Sequence, residues 1–160
     1  MTVTLVYGTE SGTTEKIARW IGNPLLARLV PVARATPTDF EGCDLLVLGA
    51  PTYGLGDLST DWEKGIARLR EADLNGRTVA LFGTGDQMTY ADSFVDAMGT
   101  LYDEVTARGA RVVGATPTDG YDFIASRAVR EGQFVGLALD EDNQAAQTES
   151  RIVRWLEGLR

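Results

Sequence analysis

Thr9, Glu10, Ser11, Gly12, Thr13 and Thr14 place four hydroxyls and one glycine after the apolar run Val3–Tyr7 and before an amphipathic segment opening Glu15-Lys16-Ile17-Ala18. That order reads as a strand, a hydroxyl-rich turn and a helix start. The first N–H groups of a helix lack intrahelical partners and lie at the positive end of its dipole, so hydroxyls gathered there suit a phosphate. The alternative is a helix cap with surplus hydroxyls. Counting excludes two other phosphate loops. A P-loop starting at Gly8 needs Gly-Lys-Ser/Thr from position 13, where the chain reads Thr13-Thr14-Glu15. A dinucleotide fingerprint from Gly8 needs glycines where Glu10 and Thr13 stand. Lys16 is the nearest basic side chain.

Two more loops carry chemistry-bearing residues. One reads Ala50-Pro51-Thr52-Tyr53-Gly54-Leu55-Gly56-Asp57, the other Gly83-Thr84-Gly85-Asp86-Gln87-Met88-Thr89-Tyr90. Each combines glycines, polar groups and one tyrosine. Either tyrosine alone fits a half-buried loop anchor. Two aromatics on neighbouring loops can also sandwich a planar ring, and glycine lets backbone amides approach its edge. Asp86 and Gln87 could join those amides in recognising a pyrimidine-like edge. With a phosphate loop on the same edge, the set points to a flat heteroaromatic phosphate ligand.

The elements that must position these loops alternate. Strand candidates are Val3–Tyr7, then 25–32, 45–49 and 78–82, and two short ones around 112–113 and 134–139. Helix candidates follow the first strand, ended by Gly22-Asn23-Pro24, and cover 62–70, 92–108 (closed by Gly109) and 148–159. Near-continuous apolar strands between helices imply an α/β fold, a doubly wound parallel sheet covered on both faces. In such a sheet ligands bind beyond the carboxyl ends of the strands, at the switch point. Segment 116–132, rich in Gly, Asp and Thr, breaks the rhythm. It reads as a long excursion between two short strands, packed down by its aromatics.

Bulk properties narrow the function. The 160 residues, 44% hydrophobic and 24% charged, suit one soluble domain spanning 1–160. No apolar stretch reaches the ~20 residues of a membrane span, and no signal peptide is visible, so a cytoplasmic location is expected. The lone Cys43 rules out an intrachain disulfide. The absence of histidine removes Ser-His-Asp and Cys-His catalysis and histidine metal sites. A net charge of −8 argues against nucleic acid and anionic membranes and suits a carrier that docks on basic partners. Chemistry in such a chain is expected to belong to a bound cofactor.

The chain resembles the flavodoxin family, specifically its long-chain branch. The resemblance is carried by the 9–14 loop, Ala50-Pro51-Thr52-Tyr53-Gly54, Asp61-Trp62-Glu63, Phe82-Gly83-Thr84-Gly85-Asp86-Gln87 and Tyr90-Ala91-Asp92. It extends to Asp119-Gly120-Tyr121-Asp122-Phe123 and to the block from Gly136 to Gln144, both peculiar to the long-chain branch. It implies five parallel strands in the order 2-1-3-4-5, the fifth interrupted by the excursion. It implies non-covalent FMN, with phosphate held by Thr9, Glu10, Ser11, Gly12, Thr13 and Thr14. Thr52 and Asp142 would meet the ribityl chain. Tyr90 would stack on the outer flavin face and Tyr53 on the inner one, where tryptophan is common. Asp86 and the backbone of 83–87 would bind the pyrimidine edge. Pro51, Gly56, Thr84, Gly85 and Gln87 complete the implied contacts.

The resemblance further implies a low-potential one-electron carrier, passing between semiquinone and hydroquinone, not an enzyme. The Gly54–Leu55 peptide would turn its carbonyl toward flavin N5 on reduction, a turn that glycine makes cheap. Acids around the site, Asp57, Asp61, Asp86, Asp92, Asp140, Glu141 and Asp142, would lower the second potential. One charge ~10 Å away at an effective dielectric of ~20 costs about 1.7 kcal/mol. Donor and acceptor would be a basic flavoprotein reductase and a redox enzyme, docking transiently on an acidic, monomeric carrier. A two-electron quinone or nitro reductase is the rival. A phosphoacceptor domain is discounted, because Gly8-Thr9 and Gly49-Ala50 stand where it needs aspartates.

Overall fold

The protein is described by a computed structural model covering residues 1–8 and 12–159. Thr9, Glu10, Ser11 and Arg160 lie outside the described residues.

Strand β1 (Val3–Tyr7) runs up the middle of the sheet and is buried along its whole length. It pairs in parallel with β2 (Arg28–Pro31) on one side and β3 (Leu45–Tyr53) on the other. Beyond β3, across the short hairpin strand β4 (Asp57–Leu58) in the sequence, comes β5 (Thr78–Thr84), again parallel. The free side of β5 receives two pieces: β6 (Arg111–Val113) along its first half and β10 (Leu137–Leu139) along its second. The fifth position is therefore one strand in two halves, and the order is the expected 2-1-3-4-5.

Alternating side chains of each strand serve two cores. Leu5, Tyr7, Val47, Ala80 and Phe82 pack under α1 (Thr13–Gly22) and α5 (Ala145–Leu159). Val6, Leu46, Leu48, Val79 and Leu81 pack under α2 (Pro37–Glu41), α3 (Thr60–Glu71) and α4 (Asp96–Ala107).

Several boundaries differ from the sequence reading. Strands β3 and β5 run on into the loops that follow them. Helix α2 was not anticipated, although Thr36 and Asp39 form a capping box around Pro37. Helix α4 begins at Asp96 rather than 92. The Phe94 backbone is diverted to the excursion, its N–H donating to the Ala125 carbonyl at 3.3 Å and its carbonyl accepting from Ser126 Oγ. The expected strand 134–139 divides. Gln133–Phe134 (β9) joins β7 (Thr116–Pro117) and β8 (Val129–Arg130) in a small antiparallel sheet, while β10 enters the main one. Phe94 meets Tyr121, Phe123 and Phe134 at ring distances of 5.5–5.9 Å, seating the excursion on the α4 side.

Candidate functional site

The carboxyl ends of β1, β3, β5 and β10 share one edge of the sheet. At the end of β1, the Gly8 N–H donates to the Gly49 carbonyl at 3.0 Å, and the Trp62 indole N–H donates to the same oxygen at 2.8 Å. A Cβ on Gly8 would lie 2.3 Å from the Trp62 ring, so only glycine fits between β1 and α3. Gly12 precedes α1 with φ 87°, and its carbonyl accepts the Lys16 N–H at 3.1 Å. Thr14, in the first turn of α1, is buried, and its hydroxyl meets the Thr84 hydroxyl at 3.3 Å. The helix start is thus joined to the end of β5. Lys16 turns away to Glu141 at 3.9 Å.

The second loop is a hairpin. Asp57 and Leu58 fold back on Tyr53 and Thr52, and the Gly56 N–H closes the turn on the Tyr53 carbonyl at 3.1 Å. Gly54 and Gly56 have φ of 53° and 105°, left-handed values at which a side chain would be strained. Pro51 is buried, Tyr53 is half-buried, and Leu55 at the tip is 86% exposed. The Thr52 hydroxyl accepts the Ala97 N–H at 3.0 Å, tying the hairpin to the start of α4.

The third loop is held by carboxylates. Asp86 accepts the N–H groups of Met88 and Thr89 at 3.1 and 2.9 Å and the Asn143 side-chain amide at 2.8 Å. These donors, the Thr89 N–H foremost, hold its carboxyl below the usual range. The Gly85 N–H reaches the Leu139 carbonyl at 3.1 Å. Tyr90, 41% exposed, projects at the loop's far end. Gln87 is buried, and both ends of its side chain are engaged: its amide donates to Asp140 at 2.8 Å and its oxygen accepts the Asp122 N–H.

Asp140 was expected among the acids of the rim; it is instead completely buried. It accepts five hydrogen bonds, from the backbone and side chain of Gln87, the backbone of Asp142, and the backbone and side chain of Asn143. Of the other acids, Asp57, Asp92 and Asp142 are exposed, and Asp61, Asp86 and Glu141 are partly covered. Asp142 is exposed as a residue, but partial desolvation of its carboxyl, then the neighbouring Asp86, Asp140 and Glu141 charges, raise it.

The structure therefore gathers the described part of the first loop, Thr13 and Thr14 with Gly12, beside Thr84, the hairpin and the Asp86 loop. Sequence reasoning gave no structural role to Asp140, Asn143 or Asp96. The reach of a carboxylate across distant loops leaves no local pattern. A cleft of about 480 Å³ between α5 and the excursion lies apart from these loops, and Trp155, Thr116 and Tyr121 on its walls spend their polar atoms on backbone carbonyls. Among the described residues no cluster of His, Cys, Asp or Glu could hold a metal ion, and no helix is long and apolar enough to cross a membrane.

The family model for flavodoxin matches residues 5–155. The chain belongs to the flavodoxin family. A flavodoxin of Nostoc sp. is 47% identical over 98% of this chain and 94% of its own length. One from Klebsiella pneumoniae is 45% identical over 98% and 95%. The crystal structure of Fusobacterium nucleatum flavodoxin bound to flavin mononucleotide matches with a TM-score of 0.93 at 34% identity, covering 99% of this chain and 96% of that one. The sheet edge described above is thus the edge of a flavodoxin fold.

Proposed function

We propose that this chain is an FMN-carrying electron-transfer protein that passes single electrons at low potential between a basic flavoprotein reductase and an acceptor redox enzyme. The observation that supports it most is the whole-chain likeness to a flavodoxin structure that holds flavin mononucleotide.

The residues present fit that group. The start of α1 presents the positive end of its dipole, and nothing lies within 4 Å of a Cβ built on Gly12. Thr9, Glu10, Ser11, Thr13 and Thr14 would complete the phosphate cradle. Tyr90 presents an exposed ring and Tyr53 a half-covered one, on loops that approach the same edge. Thr52 and Asp142 would take ribityl hydroxyls, and the backbone of 84–87 the pyrimidine edge. Asp86 and Gln87 hold that backbone in place from below.

Bound FMN would supply two one-electron steps. The chain's part is to exclude water from the ring faces, to offer a hairpin whose glycines permit peptide reorientation, and to surround the ring with negative charge. Exposed Leu55 and Met88, with Asp57, Asp92 and Asp142 nearby in the loops, suit a partner with a basic rim around an apolar contact.

Stepwise anaerobic reduction of the purified protein, followed in the visible spectrum, tests the reading. Two well-separated one-electron steps are expected. A single two-electron step would favour the quinone or nitro reductase. A colourless protein that takes up no added FMN would remove the reading altogether.

A further inference from the structure

One carboxylate sits beneath the hairpin without belonging to the three loops. Asp96 is the first residue of α4 and is 3% exposed. One of its oxygens accepts the Arg127 backbone N–H at 2.7 Å, and the other lies 3.7 Å from the Arg127 guanidinium. That second oxygen also faces Gly56: a Cβ built there would approach it to 2.6 Å. Asp96 therefore stands between the hairpin and the excursion, in reach of both. Leu55, Asp96, Ala125 and Arg127 line one cleft of about 400 Å³, so hairpin, helix and excursion meet at this place.

The helix start is gripped from both sides. Thr52 of the hairpin strand accepts the Ala97 N–H, and Ser126 of the excursion donates to the Phe94 carbonyl. Between them Val95 is held at φ 48°, a conformation that a β-branched residue adopts only when its surroundings impose it. A buried carboxylate that lost its Arg127 donors would have to find others, and its second oxygen already faces the Gly56 turn.

We propose that Asp96 is a positioning residue coupling the 116–132 excursion to the 52–57 hairpin, so that the seating of Arg127 on Asp96 sets the conformational balance of the Gly54–Leu55 peptide. The consequence for electron transfer rests on the reading that a flavin lies against this hairpin. The coupling itself belongs to the chain without FMN.

Three variants of the full chain test it. Asp96→Ala removes the junction. Asp96→Asn keeps an acceptor for the Arg127 N–H. Arg127→Glu sets a second carboxylate against Asp96 from the exposed side of the excursion and leaves every hairpin residue in place. Backbone amide NMR signals are compared without FMN, and the two one-electron potentials are compared with FMN at high salt, where through-space effects are screened. Asp96→Ala and Arg127→Glu are expected to move the Gly54, Leu55 and Gly56 signals. They are also expected to change the ratio of the two one-electron equilibrium constants about tenfold, or ~59 mV in the separation of the potentials. Asp96→Asn should stay close to the unaltered chain. If Arg127→Glu leaves the 54–56 signals and the separation unchanged, the proposal is overturned, and that variant decides alone should Asp96→Ala not fold. A lowered unfolding midpoint with an unchanged separation overturns it likewise. If the unaltered chain takes up no FMN, the proposed function fails, while the amide signals still decide the coupling.

Discussion

A single carboxylate oxygen of Asp140 accepts both the backbone N–H and the side-chain amide of Gln87, at 3.0 and 2.8 Å, across 53 residues of sequence. The other oxygen takes the N–H groups of Asp142 and Asn143. The third loop and the segment after β10 are thereby one unit, and the Gln87 oxygen extends that unit to Asp122 in the excursion. Asp140→Ala leaves several buried donors without partners and should cost about 3 kcal/mol in urea unfolding. Asp140→Asn should be nearly as damaging, since either orientation of its amide sets an NH₂ group against donors. An asparagine variant as stable as the parent would show that the charge and the second acceptor contribute little.

Gly8 offers a sharper steric test. Its substitution by alanine sets a methyl group 2.3 Å from the Trp62 ring and 2.8 Å from its indole nitrogen. Trp62 is fully buried, so it cannot yield without losing its hydrogen bond to Gly49 and its packing on Phe40. Gly8→Ala should destabilise the protein by about 2–3 kcal/mol and shift the indole N–H resonance. A shift without loss of stability would mean that α3 moves aside as a body.

The parallel sheet was legible because β1, β3 and β5 are buried on both faces and so contain almost no polar residue to interrupt the pattern. The three loops were legible because glycine, hydroxyl and tyrosine cluster at strand ends, where backbone geometry and ligand contact both demand them. The start of α4 was not. Phe94 and Val95 carry the apolar spacing of a helix, but the hydrogen bonds of Phe94 with Ala125 and Ser126, the latter 32 residues on, hold the Phe94 backbone outside it. Asp140 was misplaced for the same reason. An aspartate beside Glu141 and Asp142 reads as one more surface acid, and nothing nearby in sequence reveals that its donors include Gln87. Helix α2, by contrast, was missed although its local signal, the Thr36 and Asp39 capping box around Pro37, stands in the sequence.

Helix α4 carries two acids with opposite responses to pH. Burial raises the Asp96 carboxyl, with the Arg127 N–H and charge acting against it. The native state then holds this proton more tightly than the unfolded chain, so stability falls as pH rises from the ordinary carboxylate pKa of ~4 through the raised one. Glu104 is held low, chiefly by its hydrogen bonds with Arg70, then by the charges of Arg70 and Arg108. Its contribution is complete above its unfolded pKa and is lost as pH falls through the folded value. Asp96→Asn should therefore raise stability at neutral pH, with the gain fading toward acid. Glu104→Gln should cost about 1 kcal/mol at neutral pH, with the cost fading in the same direction. Urea unfolding of the FMN-free protein at neutral and acid pH reads both, and effects of like sign would contradict the assignment.

Tyr90 separates binding from folding. Its ring is 41% exposed, and its N–H closes a turn on the Asp86 carbonyl at 2.9 Å, a bond that any residue but proline can make. Its aromatic face is therefore free to serve a ligand without being needed by the core. Tyr90→Ala should leave the unfolding midpoint of the FMN-free protein unchanged while weakening FMN binding about tenfold, the equivalent of ~1.4 kcal/mol for a lost stacking face. Titration of flavin fluorescence measures the affinity, and thermal unfolding without FMN measures the stability. Tyr53→Ala, at a half-buried ring within the hairpin strand, should lower both. Should Tyr90→Ala instead destabilise the FMN-free protein and leave FMN affinity intact, the ring would be an anchor of the loop rather than a wall of the site.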